Sequence, residues 1–171
     1  FVHGYSSSLL PIAEYMKDND VKLEIKAIFT TAETLYSHNR KILEEGFQAR
    51  VYDQYGGQDG NASASECGHD SGYHMSGELS IFEFLDTKTN DAVCAHEEGK
   101  IVLTDLNNYA FPFIRYSIGD VGSFTDKKCS CGRTLPLMDT VKGRVTDILR
   151  FSNGNIIPGP IIVHLFRLLT D

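Results

Sequence analysis

Val21-Lys-Leu-Glu-Ile-Lys-Ala-Ile-Phe-Thr30 and Ala49-Arg-Val-Tyr-Asp-Gln-Tyr55 bracket the stretch that decides the fold. The first run alternates apolar and charged residues and then turns wholly apolar, the pattern of a strand entering a sheet interior. Between the runs, Leu35, Ile42, Leu43 and Phe47 fall on one side of a helix that Thr31 or Thr34 would cap, with Lys41 and Glu44 facing out. Strand, helix and strand joined by short links predict a parallel pair and an α/β layer over residues 1–60.

Working outward, Ser6, Ser7 and Ser8 offer an N-cap to a first helix whose apolar face is Leu9, Leu10, Ile12, Ala13 and Met16. On the other side, residues 61–75 are small and polar, with no helical or strand period, and predict a long loop. Glu78 to Leu85, Ala92-Val-Cys94 and Lys100 to Thr104 then form short apolar runs at turn spacing, which suits an antiparallel meander. Val145 to Phe151 and Asn155 to Ile157, joined around Asn153-Gly154, predict one more hairpin. The expected class is therefore a parallel α/β layer followed by an antiparallel β region.

A chain of 171 residues buries roughly 70% of its unfolded surface, enough for a core without disulfide staples. Sixteen basic against 23 acidic residues leave a formal charge of -7, which argues against a nucleic-acid or anionic-membrane surface. No apolar run approaches the ~20 residues that span a bilayer, and a cytoplasmic protein is the expectation. The opening Phe1 and a closing helix-like run, Ile161 to Asp171, suggest a piece of a longer chain.

Several residues point to chemistry. Cys129-Ser-Cys131-Gly-Arg133 places two thiols on a glycine-containing turn, and Cys67, His69 and His74 supply further ligand types for tetrahedral zinc. His74, at the edge of the next strand, is favoured over His69; the alternative is a set of reduced thiols in polar loops. Cys94 reads as a core thiol. Tyr55-Gly56-Gly57-Gln58-Asp59 sets an aromatic, two glycines and a carboxylate at a strand's C-terminal end, either a ligand site or a plain glycine turn. Asp120, between Gly119 and Val121, could accept hydrogen bonds from the vicinal hydroxyls of a ribose or could cap a turn. Arg144 suits phosphate or hydroxyl recognition, or a surface ion pair.

Taken in order, Thr30-Thr-Ala-Glu-Thr34, Tyr55-Gly-Gly-Gln-Asp59, Thr104-Asp-Leu-Asn-Asn108, Arg115-Tyr-Ser-Ile-Gly-Asp120, Cys129-Ser-Cys-Gly-Arg133 and Gly143-Arg-Val-Thr-Asp147 resemble the adenylate-forming superfamily. The likeness is to its phenylacetate-CoA ligase-like branch, which includes capsule-biosynthesis and deazaflavin-cofactor adenylating proteins. It implies an ATP-dependent enzyme that joins a small-molecule carboxylate to AMP and then passes the acyl group to a thiol such as coenzyme A. It further implies that Ala32 and Glu33 lie along the adenine, Tyr55 stacks on it beside Gly56, and Asp59 helps hold magnesium and phosphates. Asp120 and Arg144 would take the ribose, and Asp147 would mark the hinge between the large and small domains. Cys67, His74, Cys129 and Cys131 would hold a structural zinc.

The resemblance also implies a division of the chain. Residues 1–60 and 61–143 would be the α/β and β-rich portions of the large domain, and 144–171 the hinge and the start of the small one. Asp59 stands where the family commonly has Glu, and neither the phosphate loop nor the catalytic lysine of the family occurs here. The chain by itself is therefore expected not to catalyse adenylation. The alternative is a noncatalytic nucleotide-binding or zinc-stabilised interaction domain that keeps the fold.

Overall fold

The computed structural model describes residues 1–57, 59–69, 72–144, 148–150 and 156–158. The first elements are β1 (Val2–Gly4), α1 (Ser6–Asp18), β2 (Ile28–Thr31), α2 (Ser37–Phe47) and β3 (Val51–Gly57). A short 3-10 turn, Asp59–Asn61, leads to β4 (Ala62–Ser65), β5 (Tyr73–Met75), β6 (Ser80–Leu85), β7 (Gly99–Asp105), β8 (Tyr116–Thr125) and β9 (Leu137–Arg144). A separate hairpin pairs β10 (Ile148–Arg150) with β11 (Ile156–Pro158), as Asn153-Gly154 predicts.

One nine-stranded sheet runs in the order β1-β2-β3-β4-β5-β9-β8-β7-β6. β1, β2 and β3 are parallel, and every later pairing in it is antiparallel. The expected class is therefore the observed one. The change of direction falls at the 3-10 turn, which returns β4 along β3 with Tyr55 opposite Ala64. A parallel neighbour needs a crossover long enough to bring the chain back, which α1 and α2 supply, whereas a tight turn can only produce an antiparallel neighbour.

Two cores follow from the two halves. Leu9, Leu10, Ala13 and Met16 of α1 and Leu43 and Phe47 of α2 close over Ile28 and Val51 of the parallel strands. The helices approach so closely that a Cβ on Gly46 would lie 2.3 Å from the Ala13 carbonyl oxygen, so only glycine fits at that crossing. The second core gathers Ala62, Ala64, Met75, Phe84, Ile101, Leu103 and Met138 from the antiparallel strands. Among the described residues no helix is long and apolar enough to cross a membrane.

Several local expectations are corrected. The run from Val21 forms strand only at Ile28–Thr31, because β1 and β3, the strands that flank it, reach no further. Neither Thr31 nor Thr34 caps α2; Thr31 is still paired to Gln54 in the sheet, and the N-cap is Tyr36 without a side-chain bond. The three serines do not cap α1 either, since Tyr5 is its N-cap and Ser6 is already helical. Residues 61–75 contain two strands, β4 and β5, where a loop is expected. Ala92-Val-Cys94 contributes only a single bridge, Leu85 to Ala92, and Cys94 is exposed, not a core thiol.

Candidate nucleotide and metal sites

Strand geometry builds the first site. Tyr55 lies near the C-terminal end of β3, Asp120 midway along β8, and Arg144 at the last position of β9, directly across from Asp120. In a flat sheet, β3 and β8 would stand four strand spacings apart, about 19 Å. The Tyr55 hydroxyl nevertheless donates to Asp120 Oδ2 at 2.9 Å. The antiparallel half must therefore curl back toward β3, and the register shifts in β8 at Val121/Gly122 and Ser123/Phe124 are where such bending occurs. Arg144 Nε sits 3.7 Å from Asp120 Oδ1; the guanidinium is well exposed, the carboxylate largely covered.

Burial, and then the charge of Asp120, push the Tyr55 phenol far above its ordinary range, so it remains a hydrogen-bond donor at any working pH. Asp120 is thus held by a neutral donor on one oxygen and faced by a cation on the other. An ionised carboxylate offers about four acceptor positions, so two hydroxyls can still bind it.

The remaining residues expected at the nucleotide lie at or just beyond the C-terminal ends of β2 and β3. Ala32 follows β2 with φ 64°, a left-handed backbone that turns the chain away from the sheet. Glu33 is committed to α1: its carboxylate accepts from the Ser7 backbone N–H at 2.8 Å, Ser7 Oγ at 2.7 Å and Ser6 Oγ at 2.9 Å. It serves as the negative group that a helix N-terminus favours, delivered from a distant strand end. Gly56 and Asp59 are exposed, Asp59 at the first position of the 3-10 turn. Gly60 in that turn packs on Leu103, which fixes the turn against β7. Asp147 lies outside the described residues.

The second site is a cluster of three thiols and an imidazole. The ligand atoms of Cys67, His74, Cys129 and Cys131 all lie within 4.8 Å of one another. Cys67 Sγ is 3.4 Å from Cys129 Sγ, and Cys131 Sγ is 3.4 Å from His74 Nε2. Zinc bonds of ~2.3 Å to sulfur would set tetrahedral sulfur–sulfur edges near about 3.8 Å, so the set fits with small movements. Backbone N–H groups of Cys131 and Arg133 point at Cys129 Sγ and Cys131 Sγ, both at 3.5 Å, and would stabilise thiolates. His74 is buried, and among the described residues its Nδ1 has no hydrogen-bond partner, while Nε2 faces Cys131 Sγ. Burial, offset in part by the His69 backbone N–H, and then the neighbouring Cys129 and Cys131, raise the Cys67 thiol. A divalent cation reverses that penalty. His69 stands outside the cluster, with Nδ1 3.1 Å from Ser130 Oγ.

One group was invisible in the sequence. Asp53, only 5% exposed on β3, accepts from the Thr30 and Tyr73 hydroxyls at 2.5 and 2.7 Å. Burial raises its pKa, with those two hydrogen bonds opposing. Its only sequence signal is a carboxylate in an otherwise buried strand position.

No family model matches the chain. Over 132 residues it is 30% identical to a phenylacetate-coenzyme A ligase of Thermus thermophilus, covering 75% of this chain and 30% of that protein. It is 31% identical over 122 residues to protein CapK of Staphylococcus aureus, covering 68% of this chain and 25% of CapK. The crystal structure of a 2-hydroxyisobutyryl-CoA ligase in complex with R3-HIB-AMP shares the fold, with a TM-score of 0.80 at 23% identity over 91% of this chain and 35% of that one. The chain thus spans 30% or less of the length of these two curated relatives. With the motif order, the mixed sheet and these likenesses in agreement, the chain belongs to the adenylate-forming superfamily, in its phenylacetate-CoA ligase-like branch.

Proposed function

We propose that the chain supplies the adenosine-binding edge of an ATP-dependent carboxylate-adenylating ligase. The observation that carries this reading is the meeting of Tyr55, Asp120 and Arg144, from three strands, around one carboxylate. In the proposed reaction a substrate carboxylate oxygen attacks the α-phosphorus of ATP, the new P–O bond forms, and pyrophosphate leaves. Asp120 accepts the two ribose hydroxyls, Tyr55 keeps Asp120 oriented and lays its ring against the base, and Arg144 guards the open side. Ala32 and Glu33 border the adenine, with Glu33 contributing its backbone because its carboxylate is occupied by α1.

Asp59 with phosphate oxygens would hold magnesium, which usually takes only one or two protein carboxylates. The acyl group would pass to coenzyme A, in line with the ligases to which the chain is similar. Cys67, His74, Cys129 and Cys131 would hold zinc, whose contribution is to fix loops and not to react. Asp147 would mark the hinge, and residues 144–171 would open a second, smaller domain. The setting is cytoplasmic.

The test is pyrophosphate release by the protein that carries this chain, given ATP, magnesium and a panel of aryl and short acyl acids. Activity with at least one acid is expected, and Asp120→Asn should lower nucleotide affinity by about 10- to 100-fold, the value of one hydrogen bond to a charged group. Silence with every acid, together with wild-type nucleotide affinity in Asp120→Asn, would overturn the reading. The shorter Asp59, exposed at the turn, favours a noncatalytic nucleotide-binding domain as the second reading. Binding without turnover, restored to turnover by Asp59→Glu, would support it.

A further inference from the structure

Two of the four metal-site residues ride on segments gripped by one buried residue, Asp53. Cys67 follows Glu66, and His74 follows Tyr73. Glu66 is tied to β3 in both directions: its N–H donates to the Asp53 carbonyl at 3.0 Å, and its Oε2 accepts from the Asp53 N–H at 2.8 Å. Its other oxygen accepts from Arg40 at 2.7 Å, and Arg40 also donates to the Val51 carbonyl at 2.8 Å. Tyr73 is tied to the same residue, since its hydroxyl donates to Asp53 Oδ2 at 2.7 Å while Thr30 donates to Oδ1 at 2.5 Å.

We propose that Asp53 is a positioning residue for the metal site, holding the Cys67 arm through its backbone and the His74 arm through its carboxylate. The inference rests on the metal reading above and goes further, because it names a residue that touches no ligand. Cys67 lies just after β4 and His74 within β5, so both strands must each present a ligand toward Cys129 and Cys131. The pairing between β4 and β5 is short, with Ala64–Met75 and Ser65–His74 in register among the described residues. Asp53 supplies what that short ladder lacks. A buried carboxylate there is costly unless it is hydrogen-bonded, and Asp53 stands across from the buried Thr30 of β2. Its use is therefore in the specific partners it selects. Asp53 also precedes Tyr55 by two residues on one strand, so both side chains leave β3 on the same face, and the metal arms are fixed to the strand that ends at the nucleotide edge.

Tyr73→Phe removes one hydroxyl and keeps the ring, so the fold should survive. Leu10→Ala, in the separate helix-side core, serves as a variant destabilised elsewhere. The zinc content of the purified holoprotein is measured first, and then the rate at which a coloured chelator withdraws the metal. About one equivalent of zinc is expected, with release roughly tenfold faster from Tyr73→Phe, the low end of what supporting residues contribute to metal affinity, and near the wild-type rate from Leu10→Ala. One equivalent released at equal rates by Tyr73→Phe and the wild type would overturn the positioning role and leave the metal reading standing. Faster release from both variants would also overturn it, since general loosening would then account for the rate. Less than half an equivalent in the wild-type protein would overturn the metal reading and the positioning role with it.

Discussion

At the residue scale, the two carboxylates of β3 and β8 show how burial assigns roles. Asp120 keeps part of its surface open and faces a cation, whereas Asp53 is sealed behind Thr30 and Tyr73, whose hydroxyls donate to its two oxygens. Asp53 therefore holds its proton more tightly in the folded chain than in the unfolded one, where the ordinary value is 3.8. The favourable contribution of the protonated group is full below that value and is lost as pH rises through the higher folded value. Asp53→Asn carries no ionisable group at this position. Urea unfolding of wild type and Asp53→Asn at a series of pH values from 4 to 7 should therefore show the difference in stability moving in favour of Asn as pH rises. A difference that stays flat, or moves toward the wild type, would show that the hydrogen bonds outweigh burial.

At the element scale, the helix pair gives a sharper test. A methyl on Gly46 would meet the Ala13 backbone at 2.3 to 2.7 Å, and backbone cannot swing aside as a flexible side chain can. Gly46→Ala should therefore destabilise by about 1–3 kcal/mol despite alanine's better helix propensity, read as a lower urea midpoint with an unchanged slope. What the sequence carried also divides at this scale. β2, α2 and β3 were legible because their apolar residues recur with one clear period and their partners are near in sequence. β4 was not, because Ala62-Ser-Ala-Ser65 alternates with residues too small and too weakly strand-forming to stand out; its conformation is imposed by pairing with β3. β8 and β9 were hidden by Gly119, Gly122 and Gly143, which mark bends in long strands as readily as they mark turns. The metal-type residues were legible by chemistry before any fold was known. The Asp53 network was not, since it depends on β3, β4 and β5 lying side by side.

At the scale of the whole chain, two cores of different origin share one sheet. The helix-side core is closed by contacts among neighbours in sequence, and the antiparallel core joins strands far apart in the chain. The cluster of Cys67, His74, Cys129 and Cys131 sits on the second half only, tying the β4–β5 connection to the segment between β8 and β9. Loss of the proposed metal there should be felt unevenly, because stability in a folded chain is local before it is global. Stripping the holoprotein with a strong chelator should lower its thermal midpoint by about 10 °C, the effect of roughly 3 kcal/mol in a domain of this size. Amide exchange should accelerate first in residues 66–69, 72–75 and 126–136, while Ala13, Ile28, Leu43 and Val51 keep their protection. Uniform acceleration through both halves would mean that the sheet unfolds as one unit and that the cluster does not stabilise its own half selectively. An unchanged midpoint after complete metal removal would mean that the protein-only contacts, chiefly those of Glu66 and Tyr73 with Asp53, already hold the loops in place.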